Sequence, residues 1–182
     1  GDASTTWWDE SVTFTGAFQE VRVPGIGVSE NADWVVFHSE ATNLVSGSTS
    51  GDRDIYLWER ATGALSRITS GAGGESRQPV ITPDGRYVAY ISDKTDLVPG
   101  ETNSNGVADV FRYDRMTGET LRVNVGLSGA EANGRSYSVA ISADGDTLAF
   151  ESLASNLVAN DTNGTADVFV HTLSTGTTER VS

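Results

Sequence analysis

One phrase of fifteen residues occurs three times along this chain of 182 residues. Residues 54–68 read DIYLWERATGALSRI, residues 109–123 read DVFRYDRMTGETLRV, and residues 167–181 read DVFVHTLSTGTTERV. The first aspartates of the three phrases are 55 and 58 residues apart, and the Thr-Gly pairs within the phrases have the same offsets. Self-similarity at a fixed period indicates a repeat architecture in which each copy is one supersecondary unit.

A second shared element precedes each phrase, and it consists of a turn that leads into a strand. It begins at Ser29, Thr82 and Ser142, and the last two copies carry an Asp-Gly pair at 84–85 and 144–145. Asp-Gly between two apolar segments is a strong hairpin signal, because the turn needs positive φ and glycine adopts it without a Cβ clash. The Thr-Gly pair in the longer phrase closes the next hairpin by similar chemistry.

One unit therefore predicts four antiparallel strands, which in the middle copy lie at 79–82, 86–92, 109–114 and 120–124. Val, Tyr and Phe alternate with polar residues in these segments, as in half-buried strands. Units of about 40 to 60 residues with turns at the corners and no helical pattern indicate an all-β protein, and they favour a β-propeller over a stacked β-solenoid. We expect Trp34 and Trp58, which occupy aligned strand positions, to take part in blade packing.

The domain organisation follows from this period. We predict an N-terminal segment with a partial blade at 1–25, followed by blades at 26–70, 71–125 and 126–182. Residues 11–23 match the third and outer strands of a preceding blade, so the chain predicts a β-propeller segment of about three and a half four-stranded antiparallel blades. Because even small propellers need about four blades, we expect a protein partner or additional blades to complete the ring, or a homo-oligomer to do so.

Four short phrases carry a resemblance to a known family. Residues 142–150, 155–158, 161–164 and 167–169 read SADGDTLAF, SNLV, DTNG and DVF. They resemble the WD40-like, TolB-type (PD40-like) repeats of bacterial exported β-propellers, and the resemblance covers about residues 26–182. It implies an extracellular or periplasmic toroid of about six or seven blades that serves as an interaction or ligand-binding platform. It does not name a ligand, because a fold does not fix a function.

The charge balance argues against some partners. The chain has 12 Lys and Arg against 25 Asp and Glu, a formal net charge of −13, which repels phosphate backbones and anionic lipid. We therefore expect no nucleic acid partner, and the lack of any apolar run of about 18 residues predicts no membrane insertion. The chain has no cysteine, so disulfides, thiolate zinc sites and cysteine nucleophiles are excluded.

The loops between second and third strands suggest calcium sites. Alternate oxygen-bearing side chains surround a glycine in the last two units, and calcium takes about six to eight oxygen ligands. The predicted ligands are Asp161, Asn163 and Asp167 in the last unit, and Asn103, Asn105 and Asp109 in the middle unit. We expect no site in the first unit, where Arg53 stands beside the carboxylates. The alternative is that these side chains make Asx turns, and that Asp54, Asp109 and Asp167 are structural.

The sequence contains no recognisable catalytic group. Its two histidines, His38 and His171, are predicted to be strand-surface residues, and Thr49 occupies the central position that a Gly-x-Ser-x-Gly elbow would need for its serine. We therefore predict a non-enzymatic exported β-propeller scaffold or protein-interaction module. The alternatives are a structural filament or surface-layer subunit, and the accessory propeller of a carbohydrate-active enzyme or hydrolase.

Overall fold

The computed structural model describes residues 25–46, 51–101 and 103–182, and these residues form three four-stranded antiparallel sheets. The first sheet contains β1 (Ile26–Val28), β2 (Trp34–Ser39), β3 (Asp54–Glu59) and β4 (Leu65–Arg67). The second contains β5 (Ser76–Ile81), β6 (Tyr87–Ser92), β7 (Asp109–Asp114) and β8 (Glu119–Arg122). The third contains β9 (Ser136–Ile141), β10 (Thr147–Ser152), β11 (Asp167–Thr172) and β12 (Thr177–Arg180).

Neighbouring strands in each sheet are also consecutive in the chain, as in propeller blades. The predicted all-β propeller segment is therefore confirmed for three blades. In the described residues the helical structure is limited to a 3₁₀ turn at Leu127–Gly129, and no helix is long and apolar enough to cross a membrane. The predicted partial blade at 11–23 lies outside the described residues.

Two strands of the middle blade differ from their predicted bounds by more than one residue. The inner strand begins at Ser76 rather than at Pro79, because a bulge between Arg77 and Val80 lets the strand continue past the proline, which has no amide donor. The outer strand ends at Arg122 rather than at Asn124. Asn124 leaves the ladder because its side chain, not its backbone, accepts the hydrogen bond of the Val110 amide, at 2.9 Å.

The turn from the inner to the second strand is built in the same way in all three blades. The hydroxyl groups of Ser29, Thr82 and Ser142 each accept a hydrogen bond from the amide five residues later, at 3.1, 3.0 and 2.9 Å. Gly85 and Gly145 adopt φ of 73° in this turn. The shared hydroxyl bond fixes where each second strand begins.

The core lies between the blades, in two clusters that share the middle blade. Its residues are at most 2% exposed. The first cluster contains Val36, Ile55 and Leu57 of the first blade with Val88, Tyr90 and Phe111 of the second. The second cluster contains Ala89, Ile91 and Val110 of the second blade with Leu148, Phe150 and Phe169 of the third. The middle blade is thus covered on both faces.

Two further contacts repeat at each blade interface. The first amide of each inner strand donates to the preceding blade, from Ser76 to the Arg53 carbonyl at 2.7 Å and from Ser136 to the Ala108 carbonyl at 2.8 Å. The rings of Trp34 and Tyr87 lie on Gly85 and Gly145 of the following blade, where any Cβ would overlap the ring. The interblade packing predicted for Trp34 is therefore found.

Candidate functional site

A buried aspartate begins the third strand of each blade. Asp54, Asp109 and Asp167 are at most 4% exposed. They occupy the same place in the fold, because each is paired across the ladder with the serine that ends the second strand. A carboxylate that is buried in this way needs compensating partners.

An arginine at the end of the outer strand is one such partner in every blade. The distances between guanidinium nitrogen and carboxylate oxygen are 3.3, 3.5 and 3.7 Å for Arg67–Asp54, Arg122–Asp109 and Arg180–Asp167. In each blade the arginine follows its aspartate by thirteen residues. These arginines were not among the predicted site residues, although their constant spacing within the three phrases is a visible signal.

A polar residue two positions beyond each arginine completes the arrangement. Thr69 accepts from the Ile55 amide at 2.8 Å and donates to Asp54 at 2.9 Å. Asn124 donates to Asp109 at 2.7 Å while its oxygen binds the Val110 amide. Ser182 accepts from the Val168 amide at 2.9 Å. These bonds tie the third strand to the segment after the outer strand in every blade, and in the first two blades they also include the aspartate.

The predicted calcium ligands of the last blade lie close together. Asn163 donates to both carboxylate oxygens of Asp167, at 2.9 and 3.0 Å, and accepts from the Thr165 amide at 3.1 Å. Asp161 accepts from Arg180 at 3.1 Å. The positive charge beside both carboxylates is therefore the guanidinium of Arg180, and all three side chains already hold protein partners.

The middle blade arranges its predicted ligands differently. Asn105 donates to the Ala132 carbonyl at 2.6 Å and accepts from the Val107 amide at 2.8 Å, so it makes an Asx turn. Asn103 donates to the Val107 carbonyl at 3.0 Å. The side-chain oxygen of Asn103 and one oxygen of Asp109 are buried and accept no hydrogen bond. Both oxygen atoms can still accept a ligand, although the Asp109 oxygen also lies 3.5 Å from the Arg122 guanidinium.

Arg122 is the cationic partner of Asp109 in the middle blade. It lies 3.5 Å from Asp109, 3.2 Å from Glu131 and 3.7 Å from Glu101. Among the described residues no group of three or more histidines, aspartates or glutamates is placed to hold a metal ion. A calcium ion would have to combine carboxylates with amide and carbonyl oxygens, and calcium in both loops stays a prediction.

The environment of Asp109 alters its acidity. Burial raises the pKa of Asp109 to about 6, although the hydrogen bond from Asn124 and the charge of Arg122 oppose this shift. Glu131 adds a further negative charge nearby and raises the pKa of Asp109 in the same direction. This carboxyl group therefore changes protonation in mildly acidic solution.

The first blade interface supplies a second cation to its aspartate. Lys94, which is 2% exposed, lies 3.2 Å from Asp54 and donates to the Gly71 carbonyl at 3.1 Å. The third blade has Ala154 at the same place, since the amides of Lys94 and Ala154 both donate to the serine that ends the second strand, at 3.2 and 3.1 Å. Asp54 thus has a lysine and an arginine, whereas Asp109 has only an arginine.

The two histidines stabilise strands. The Nδ1 atom of His38 accepts from the Gln78 amide at 3.2 Å, across the first interface. His171 is only 8% exposed, so its prediction as a surface residue was wrong, and its Nδ1 lies 2.9 Å from the Thr178 hydroxyl. Burial lowers the pKa of His171, although Asp146 opposes the effect. The ring and the residues of the 3₁₀ turn line a common cleft of about 380 Å³.

No family model matches the chain. It is 35% identical over 94 residues to a protein TolB homolog of Chlorobium luteolum, a match that covers 52% of this chain and 18% of that protein. Among solved structures it resembles TolB of Acinetobacter baumannii, with 21% identity and a TM-score of 0.54, over 88% of this chain and 32% of that one. It also resembles an oligogalacturonate lyase of Vibrio parahaemolyticus, with 14% identity and a TM-score of 0.55, over 87% of this chain and 39% of that one.

The chain therefore spans well under half the length of each of these proteins. At such identities the likeness to the solved structures is a likeness of fold. It confirms the resemblance that the repeat phrases predicted. The chain is a β-propeller segment whose repeats are similar to those of TolB-type proteins.

Proposed function

We propose that this chain is part of an exported, non-enzymatic β-propeller that acts as a protein-interaction platform and is completed by further blades or by another chain. The observation that supports this most is the contrast between the two faces of the third blade. One face is packed against the middle blade, while the other leaves Val168 41% exposed and Val181 66% exposed. Contiguous exposed apolar surface is typical of interaction sites, and these two neighbouring valines are the apolar part of the face that we propose as such a site.

The periplasm or the extracellular space is the proposed location. The similarity to TolB-type proteins supports it, and the surplus of carboxylates suits a protein that meets no nucleic acid. The charged side chains of the rim loops also fit a scaffold, because they are used in ion pairs within the blades rather than left to face a substrate.

A second candidate is the accessory propeller of a carbohydrate-active enzyme or hydrolase. The likeness in fold to the oligogalacturonate lyase supports this alternative, together with 27% identity over 71 residues to a dipeptidyl-peptidase 5 of Porphyromonas endodontalis. That second match covers 39% of this chain and 10% of the peptidase. In this reading the catalytic groups belong to the rest of a larger assembly.

Turnover assays test the part of the platform proposal that says this chain is not itself catalytic. The purified chain is incubated with polygalacturonate and with dipeptidyl reporter peptides, and product is followed by absorbance and fluorescence. The platform proposal predicts no product above that of heat-denatured chain. Product that scales with the concentration of folded chain would contradict it, and size-exclusion chromatography with light scattering would then show which assembly is active.

Calcium remains part of the proposal, and the middle loop supports it better than the last loop does. The buried oxygens of Asn103 and Asp109 accept no hydrogen bond, although Arg122 lies 3.5 Å from the Asp109 oxygen. In the last loop Asp161 accepts a hydrogen bond from Arg180, and Asp167 accepts two from Asn163. Calcium titration by calorimetry should give a binding heat that Asn103→Ala removes and Asn163→Ala leaves in place. A binding heat that survives Asn103→Ala, or the lack of any heat in the native chain, would contradict calcium at the middle loop.

A further inference from the structure

Every blade presents one sheet face towards the blade that follows it, and the strand registers identify the residues of this face. In the second blade Ala89 pairs across the ladder with Arg112, and Arg112 pairs with Leu121. Ile91 pairs with Val110, whose carbonyl accepts the hydrogen bond of the Val123 amide. In the third blade Ala149 pairs across the ladder with Val170, and Val170 pairs with Glu179. Glu151 pairs with Val168, whose carbonyl accepts the hydrogen bond of the Val181 amide. These two sets of positions correspond one to one, and we call the set on the third blade the open face.

Burial shows what the open face lacks. Val110 and Val123 of the second blade are fully buried, because the third blade covers them. At the same two positions of the open face, Val168 is 41% exposed and Val181 is 66% exposed. The apolar residues of a blade-covering interface are therefore present, without their cover, on the last described blade.

The open face is also more acidic than the covered face of the second blade. Glu151 stands in the place of Ile91, and Glu179 stands in the place of Leu121. At the rim, Asp161 and Asp167 share the single guanidinium of Arg180, at 3.1 and 3.7 Å, and both carboxylates are at most 5% exposed. The rim thus already buries two carboxylates with one guanidinium, and covering the face with a neutral sheet would also remove water from Glu151 and Glu179, which is costly.

The first interface shows how a following blade can balance such a charge. Lys94 of the second blade reaches back to Asp54 of the first, which is the counterpart of Asp167. The lysine follows the end of its second strand by two residues, so its position in any further blade is defined by the repeat. A basic residue at that position lies opposite the Asp167 rim if the blade packs as the others do.

We propose that the open face is the docking surface for a further four-stranded blade that carries a basic residue at the position of Lys94. This inference rests on the proposed function, since it names the chemistry of the blade that completes the propeller. The apolar residues Val168 and Val181 supply the packing surface, and the lysine pairs with Asp167 as Lys94 pairs with Asp54. A covering blade with an acidic residue at that position is disfavoured.

The chain itself provides the probe. A copy of residues 125–182 is joined directly after Ser182, which occupies the place of Asn124, so that a fourth blade follows the third in register. Because the native chain has no cysteine, single substitutions can report burial through their rate of reaction with a maleimide. Val168→Cys probes the open face, Val110→Cys a covered position, and Met116→Cys an exposed turn residue.

We expect extension to slow the labelling of Val168→Cys by about tenfold or more, because a covered side chain reacts only through local opening. Met116→Cys should react equally fast in both chains, and Val110→Cys should stay slow in both, which shows that the first three blades are folded. An Ala154→Lys substitution placed only in the appended copy should slow Val168→Cys further. An Ala154→Glu substitution in the copy should speed it.

Equal labelling of Val168→Cys in the native and the extended chain, with Val110→Cys still slow, would overturn the docking surface. The basic partner would be overturned if Ala154→Lys in the copy did not slow the labelling of Val168→Cys further. It would also be overturned if Ala154→Glu in the copy slowed this labelling as much as Ala154→Lys does. Neither result depends on catalysis, so enzymatic turnover would contradict the proposed function without changing these rates.

Discussion

The two blade interfaces share their packing and differ in their charge balance. At the first interface the Trp34 ring lies on Gly85, with the Arg115 guanidinium 3.9 Å from the ring centre. At the second the Tyr87 ring lies on Gly145, with the Arg112 guanidinium at 4.4 Å. Lys94 balances the buried aspartate of the first interface, and Ala154 leaves that of the second with its arginine alone. The repeat thus gives both interfaces the same ring-on-glycine packing, while the charged groups around the buried aspartate differ between them.

The largest expected effect comes from removing the lysine of the first interface. Lys94→Met keeps much of the side-chain volume but withdraws one partner from a carboxylate that is 1% exposed. Breaking a buried pair from one side costs about 3–5 kcal/mol, so the free energy of unfolding in urea should fall by about that amount. The double variant Lys94→Met with Asp54→Asn should recover part of the loss. A fall below about 1 kcal/mol would mean that the interfaces do not differ in the way described.

The second interface should instead show a dependence on pH. The folded pKa of Asp109 is raised to about 6, above the value of about 3.9 for an unfolded aspartate, so the folded chain binds this proton more tightly. Asp109 therefore adds stability as the pH falls from about 6 to about 4, by about 2–3 kcal/mol in all, and that stability is lost as the pH rises again.

Urea unfolding of the native chain and of Asp109→Asn across this range measures the effect. The difference in unfolding free energy between the two should change with pH between about 4 and 6 and be flat above about 7. Asp54→Asn serves as the matched comparison at the other interface. A difference that does not change between these pH values would show that Asp109 is not the titrating group.

A smaller effect should come from the packing that the two interfaces share. Gly145→Ala and Gly164→Ala both place a Cβ on a residue with positive φ, of 73° and 66°. The backbone cost of about 1–2 kcal/mol is common to both. Only Gly145→Ala also drives a methyl group into the Tyr87 ring, because no atom lies within 4 Å of a Cβ at Gly164.

Thermal unfolding should therefore give the lower midpoint for Gly145→Ala, with an extra loss of about 1–3 kcal/mol from the overlap. Tyr87→Leu, placed on the Gly145→Ala background, should return part of that extra loss. Equal midpoints for the two alanine variants would indicate that the ring does not rest on the turn.

The sequence predicted the fold well because the same strand and turn signals occur in each copy of the repeat. The Asp-Gly turns and the phrases that begin at Asp54, Asp109 and Asp167 placed the second and third strands correctly. The bulge at Arg77 was missed because Pro79 is a negative signal in a strand pattern. In the first blade Ala32 occupies the position of the turn glycine and adopts a left-handed conformation with φ of 53°. The local sequence does not predict this conformation for an alanine.

The candidate site was less predictable, since its partners come from distant parts of the chain. The spacing of Asp and Arg within each phrase was readable, but pairing them required the third and outer strands to adjoin. Lys94 belongs to a different blade from Asp54, and the sequence around either residue does not predict their contact. The exposure of Val168 against the burial of Val110 likewise depends on blade order, not on local sequence.

Hydrogen exchange with mass spectrometry tests most directly the central claim, that the middle blade is covered on both faces and the third on one. Amides of β6 and β7 should exchange slowest, and those of β10 and β11 faster, because protection follows the opening free energy of each unit. The buried run from Val88 to Ser92, against the alternating burial of β10, is the structural reason. If β10 and β11 exchanged as slowly as β6 and β7, or more slowly, the described stacking of the blades would be contradicted.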